Sequence, residues 1–155
     1  MRIVSASLVA APLLARLHAE AFAVFPGDVW DKDFFDKMLS LPTTRALIAE
    51  DDSGDAAGFI MWQHTPDTGE IMTLAVAPAA QGQGVGAALV KTYEHELQHD
   101  NIPQSLLDVA DDNALAQRLY SRLGYSLINR RPHYYKRYAD GHDHRVDALV
   151  MKKDL

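Results

Sequence analysis

The stretch Gln81-Gly82-Gln83-Gly84-Val85-Gly86-Ala87 holds three glycines at the point where an apolar run, Leu74-Ala75-Val76, gives way to a helical pattern. The first N–H groups of a helix have no partners within it, and with the helix dipole they form an anion site. Glycines let the backbone approach a diphosphate closely. The spacing is not the G-x-G-x-x-G dinucleotide fingerprint, and no Gly-Lys-Ser/Thr follows as in a P-loop. On local chemistry alone the segment also reads as an ordinary loop before a helix. A second group of reactive side chains lies downstream: Asp108 at the end of an apolar run, then Asn113 and Tyr120, seven residues apart. That interval is about two helical turns, so the two share a face. Asn113 reads equally as a helix cap, and Tyr120 as a core aromatic.

A rival chemistry is written in His95-Glu96-Leu97-Gln98-His99, a literal H-E-x-x-H. Such a pair of histidines on one helix can hold zinc while the glutamate activates water. Here Val85, Leu89, Tyr93 and Leu97 mark the buried stripe of the helix. His95 and His99 fall opposite it, and no third ligand is evident. The expectation is a solvated helix face and no metal. His142 and His144 likewise read as surface residues.

The elements that must position these groups follow from periodicity and punctuation. Strands are expected at Arg2 to Ser5, Ala46 to Glu50, Ala57 to His64, Glu70 to Val76, Gln104 to Val109, Tyr125 to Asn129 and Val146 to Met151. Helices are expected at Pro12 to Phe22, Asp31 to Leu41, Gly84 to His99, and Asp112 or Asn113 to Leu123. Turns are expected at residues 25–28, 51–55 and 66–69, and Arg130 to Arg145 is expected to be a loop. On the last helix, Leu115, Leu119 and Leu123 are expected to pack inward. The early strands form a meander, which implies antiparallel pairing. The expected fold is α/β (α+β), with a mixed, mostly antiparallel sheet of about seven strands and four helices on its faces. The 155 residues suggest one domain over 1–155.

Composition narrows the function classes. There is no cysteine, which excludes disulfides, thiolate zinc sites and a cysteine nucleophile. It fits a reducing, cytoplasmic setting. The net charge is −6 with no basic face in view, so nucleic acid is not an expected partner. The negative balance suits a cationic partner such as an amine, and equally plain solubility. No run of about 18 apolar residues is present to span a membrane. The apolar N-terminal stretch is interrupted by Ser5, Ser7 and Pro12 and continues as an amphipathic helix, so it does not read as a signal peptide.

Two motifs give the pattern a family likeness. Gln81-x-x-Gly84-x-Gly86, after Val76-x-Pro78, resembles the coenzyme A motif of the GNAT acetyltransferase superfamily. Asn113, Ala116, Leu119, Tyr120, Gly124 and Tyr125 resemble its later motif, N-x-x-A-x-x-L-Y-x-x-x-G-F/Y. The resemblance implies acetyl-CoA as co-substrate, with the backbone of Leu74, Ala75 and Val76 pairing the pantetheine arm. It implies that amides from Gly82 to Ala87 hold the pyrophosphate, that Asn113 contacts the coenzyme, and that Tyr120 protonates the departing thiolate. Within the superfamily the chain resembles bacterial ribosomal-protein-alanine N-acetyltransferases, through Ala23 to Trp30, Arg131 to Tyr135 and Asp147 to Met151. The implied acceptor is the N-terminal α-amine of a protein. A small-molecule amine, a lysine, or non-catalytic binding of acetyl-CoA are the alternatives.

The chemistry would be attack of a neutral amine on a thioester. An α-amine is roughly a tenth neutral at pH 7, whereas lysine is neutral well below a tenth of a percent, a difference of about 3 kcal/mol. Those relatives carry a glutamate base where this chain has Asp108, whose reach is about 1.5 Å shorter. Glu70 is the other candidate base, since many superfamily members use a glutamate at that strand start; both carboxylates also read as strand-end surface groups. The arginine common two positions later is Ala110 here. Asp111 and Asp112 add negative charge near the expected cleft and favour a cationic acceptor. Tyr134 and Tyr135 are expected to shape the acceptor pocket, with surface packing as the other reading.

Overall fold

The computed structural model describes residues 1–139 and 141–155. A seven-stranded sheet runs through the molecule in the order β1-β2-β3-β4-β5-β7-β6. Its strands are β1 (Arg2–Ser5), β2 (Thr44–Glu50), β3 (Ala56–His64), β4 (Gly69–Val76), β5 (Gln104–Ala110), β6 (Ser126–Ala139) and β7 (His142–Asp154). Every pairing is antiparallel except β4 with β5. The helices are α1 (Ala11–Ala21), α2 (Lys32–Leu39), α3 (Val85–His99) and α4 (Ala114–Arg122). The expected mixed, mostly antiparallel sheet with four helices is the fold observed.

Local chemistry accounts for the helix limits. Pro12 lies in the first turn of α1, where its missing N–H costs nothing. Asp31 caps α2 by accepting from the Phe34 N–H at 2.9 Å. Gly124 follows α4 with φ 96°, the left-handed stop that glycine takes without strain.

The sheet separates two cores. On one face α1 and α2 bury Leu14, Leu17 and Phe35 against Ile48, Phe59 and Met61. On the other, α3 and α4 cover Ile60, Trp62 and Leu107 with Leu89, Tyr93 and Leu97. The alternation of β2 and β3 thus serves both faces, which is why they read as nearly continuous apolar runs.

Two expectations fail. Arg130 to Arg145 is not a loop: β6 and β7 run through it as a long hairpin, pairing Tyr135 with Val146 and Ala139 with His142. Residue 140, inside that expected loop, lies outside the described residues. Most side chains of β6 are exposed, with only Tyr135 and Arg137 part-buried, so the strand lacks the sustained apolar–polar alternation that marks a half-buried strand. Leu115 does not pack inward; it is 60% exposed. Leu123 packs on the core as expected, beside Ala116 and the buried Tyr120, and Leu119 lies against Gly86.

An aromatic cluster locks the first helix to the sheet. His18 is 1% exposed. Its ring lies between Phe22, at 4.4 Å, and Trp30, at 5.0 Å, and meets the edge of Phe35. Nδ1 accepts the Trp30 backbone N–H, and Nε2 lies 3.2 Å from Thr73 Oγ1 on β4. Burial pulls the imidazole pKa down to about 4.

This packing can be probed at two positions. Gly58 on β3 lies where an added Cβ would stand 2.6 Å from the backbone oxygen of Ala75. Gly58→Ala should therefore cost about 1–3 kcal/mol through overpacking against main chain, read from urea midpoints. His18 is neutral when folded, while the unfolded chain takes up its proton near pH 6.5. Its contribution is complete above that pH and is lost as pH falls towards 4. The stability gap between wild type and His18→Gln should narrow by up to about 3 kcal/mol between pH 7 and pH 4; a constant gap would show that His18 gains no proton on unfolding.

Candidate active site

The cleft begins with an irregularity in β4. Thr73 pairs with Met61 and Ile71 with Trp62, so Met72 is an extra residue opposite no partner. Such a bulge bends its strand and increases the local twist. The parallel pairing of β4 with β5 runs from Gly69↔Ser105 to Ile71↔Leu107 and stops there. Beyond it β4 continues to Val76 on β3, and β5 continues to Ala110 on β7. The facing edges of Met72 to Val76 and Asp108 to Ala110 are unpaired with each other. Two strand edges thus diverge around a groove, offering main-chain donors and acceptors to an extended ligand.

The groove leads to the start of α3. Gly84 (φ 83°) is the N-cap and no side chain caps the helix. The first backbone bond of the helix joins the Ala88 N–H to the Gly84 oxygen at 3.0 Å, leaving the N–H groups of Gly84, Val85, Gly86 and Ala87 without helical partners. Gly82 and Gly84 both have positive φ, which turns the loop over the helix end. Gln81 donates to the Val76 oxygen at 3.2 Å and Gln83 to the Ala79 oxygen at 3.0 Å, so both side chains brace the loop. Gly86 serves packing rather than the turn. A Cβ there would meet Leu119 at 3.2 Å, so glycine lets α3 approach α4. A bare helix N-terminus at the mouth of splayed strands fits a diphosphate joined to an extended, amide-bearing arm.

Across the groove, Asp108, Asn113 and Tyr120 line one cavity with Thr73 and Leu74. Asn113 Oδ1 accepts from the Ala116 N–H at 3.2 Å and so caps α4. That bond fixes the amide orientation and leaves the Nδ2 donors unused by protein among the described residues. Cap and ligand contact are therefore compatible. Tyr120 is 6% exposed. Its ring packs at 64° on Tyr125, whose hydroxyl donates to Ser105 Oγ at 2.8 Å. Burial raises the Tyr120 hydroxyl pKa well above its usual value, with Tyr135 adding to the effect, so it keeps its proton at neutral pH.

The carboxylates differ in placement. The Asp108 side chain is 20% exposed, with Arg131 Nε 3.5 Å from its Oδ2. Glu70 is exposed and is not part of the cavity wall. Shielding of its carboxyl, then the charge of Asp108, raise its pKa against the opposing pull of Arg131. The two acids thus share one electrostatic neighbourhood beside a single arginine.

The β6–β7 hairpin borders the cavity through Tyr135 and Arg137. Tyr135 lines the cavity, whereas Tyr134 does not; Tyr134 is 52% exposed, at 80° to Tyr135. Arg137, with 10% side-chain exposure, bonds Asp112 through Nε (2.8 Å) and Nη2 (3.1 Å), and Asp28 through Nη1 at 3.1 Å. Its guanidinium lies over the Phe25 ring. Arg130 pairs with Asp111 at 3.0 Å. The charge expected from Asp111 and Asp112 is therefore met by arginines, because the supposed loop is a strand laid beside them.

His18, Trp30, Asp28 and Arg137 also line the cavity; Asp28 and Trp30 lie in the Ala23 to Trp30 segment that carried the resemblance, whereas His18 and Arg137 carried no functional signal. No local pattern sets apart His18 on its amphipathic helix or Arg137 in its polar segment. His95 and His99 are exposed. No cluster of three or more His, Asp or Glu side chains that could hold a metal occurs among the described residues. No described helix is long and apolar enough to cross a membrane.

Mycothiol acetyltransferase of Mycobacterium sp. (strain MCS) is 36% identical over 126 residues, 75% of this chain and 42% of the relative. The ribosomal protein bS18-alanine N-acetyltransferase of Escherichia coli (strain K12) is 34% identical over 99 residues, 64% of each chain. The chain thus spans about two fifths of the first relative's length and under two thirds of the second's. The crystal structure of the E. coli ribosomal-protein-S18-alanine N-acetyltransferase superposes with a TM-score of 0.86 at 25% identity, covering 99% of this chain and 92% of that one. Residues 12–125 match the acetyltransferase (GNAT) family, and the chain belongs to that family.

Proposed function

We propose that the chain transfers an acetyl group from acetyl-CoA to a primary amine. The observation that carries this reading is the unpaired edge of β4 running into the uncapped start of α3. Backbone of Leu74, Ala75 and Val76 suits the pantetheine amides, and the N–H groups from Gly82 to Ala87 suit the pyrophosphate.

The residues of the cleft divide the remaining work. Asp108 accepts a proton from the incoming amine, directly or through one water, once Arg131 yields its carboxylate. The amine nitrogen bonds to the carbonyl carbon as the carbon–sulfur bond breaks. Tyr120, held protonated by burial, gives its proton to sulfur. Glu70 stands outside the cavity wall and shapes the field around Asp108.

The acceptor we favour is the α-amine of a protein N-terminus, supported by the superposition on the E. coli enzyme named for ribosomal protein S18 and by the larger neutral fraction of an α-amine. A small-molecule amine is the second reading, because a relative named for mycothiol matches the larger share of the chain. We place the protein in the cytoplasm, with no nucleic-acid or membrane partner.

Thiol release from acetyl-CoA should appear with one member of a panel of an Ala-Arg N-terminal peptide, a lysine peptide, polyamines and cysteinyl amines; absence of release with all of them would favour a non-catalytic binder. Tyr120→Phe should lower kcat by roughly 10²–10⁴ while calorimetric acetyl-CoA affinity stays within a few-fold; an unchanged kcat would remove the hydroxyl from the mechanism. Asp108→Asn should cost more activity at pH 6 than at pH 9, where the amine is already neutral, and an equal loss at both would argue against a base at that position.

A further inference from the structure

We propose that the Thr73 hydroxyl, oriented by His18, donates a hydrogen bond to the thioester carbonyl oxygen and polarises the carbon that the amine attacks. This rests on the acetyl-CoA reading above.

The orientation follows from donor and acceptor accounting. The Trp30 backbone N–H can only donate, and it points at His18 Nδ1 from 3.2 Å. Nδ1 must therefore present its lone pair. A neutral imidazole has one N–H, which is then on Nε2. Nε2 lies 3.2 Å from Thr73 Oγ1, so the histidine donates and the threonine oxygen accepts. The threonine hydrogen is thereby turned away from His18. Among the described residues it has no acceptor of its own.

What lies in its direction is the groove. Thr73 follows the Met72 bulge on β4, within the segment that has lost its β5 neighbour. It lines the same cavity as Asp108 and Tyr120. An arm anchored at residues 82–87 and running back along β4 from Val76 reaches Thr73 after about 10 Å of strand. The thioester then lies between the threonine hydroxyl and the proposed base and acid. During attack, electron density moves onto the carbonyl oxygen as the carbon–nitrogen bond forms, and returns as the carbon–sulfur bond breaks. The amine proton goes to Asp108 and the Tyr120 proton to sulfur. Thr73 keeps its own proton throughout and stabilises the charge that builds on oxygen.

A preorganised donor of this kind accelerates acyl transfer without reorganising at the moment of reaction. His18 is a positioning residue: locked by Phe22 and Trp30 stacking, it keeps the hydroxyl from rotating.

Infrared difference spectra of bound acetyl-CoA carrying a ¹³C-labelled thioester carbonyl test the contact without any acceptor. In wild type and Thr73→Ser the carbonyl band should lie below its free-solution frequency; in Thr73→Val it should return toward that frequency. The same Thr73→Val change should lower kcat roughly ten- to a hundredfold with the acetyl-CoA KM within about twofold, and Thr73→Ser should restore most of the rate. A band at one frequency in wild type and Thr73→Val, with both binding acetyl-CoA, overturns the contact. Failure of wild type to bind acetyl-CoA overturns the proposed function itself. His18→Leu should lower kcat in the wild-type background and change it little in a Thr73→Val background; equal losses in both would show that His18 does not act through Thr73.

Discussion

One surplus residue organises this protein. With Met72 left unpaired in β4, the sheet cannot stay closed between β4 and β5, and the two strands separate after Ile71 and Leu107. An open seam inside a sheet normally leaves backbone donors and acceptors without partners, which is costly when the seam is buried. Here both strands keep their outer partners, β3 and β7, so the sheet survives while the inner edges stay available. The groove is bordered by two unpaired strand edges, and an extended chain bearing amides is the ligand chemistry that suits it.

The surrounding elements keep that seam open and oriented. On one face the α1–α2 core clamps β4 through His18 and its aromatic neighbours. On the other, Leu119 closes on Gly86 and brings α4 to the first turn of α3. The hairpin of β6 and β7 is fastened beside the cavity by Arg137, whose guanidinium bridges Asp28 and Asp112. A nearly buried arginine between two carboxylates meets its charge locally. The cavity beside the hairpin is thus lined by aromatic rings and by Asp28 and Asp108, with Asp28 paired to Arg137 and less free negative charge than the composition suggests.

The glycine loop, the start of α3 and the Asn113 and Tyr120 pair were legible because each depends on local rules. Positive φ at Gly82 and Gly84 needs glycine, and a helix start exposes amides wherever it occurs. Other parts were hidden. Neither His18 nor Thr73 has a partner within the span of a local pattern, since their contact joins residues 55 apart in sequence. The hairpin carries no strand signal because a strand with nearly all its side chains exposed has no period to detect. That missing signal makes Asp111 and Asp112 look like free charge, when Arg130 and Arg137 stand beside them.

From the chain alone came the order of elements, the helix start at the glycine loop and the family likeness, because helix caps, glycine dihedrals and apolar periodicity act over a few neighbouring residues. Only the tertiary structure decided where β4 and β5 part, that Tyr120 rather than Leu115 turns inward, which tautomer His18 holds and which carboxylate faces the cavity. Those features arise from contacts between segments distant in sequence, whose pairing no local pattern encodes.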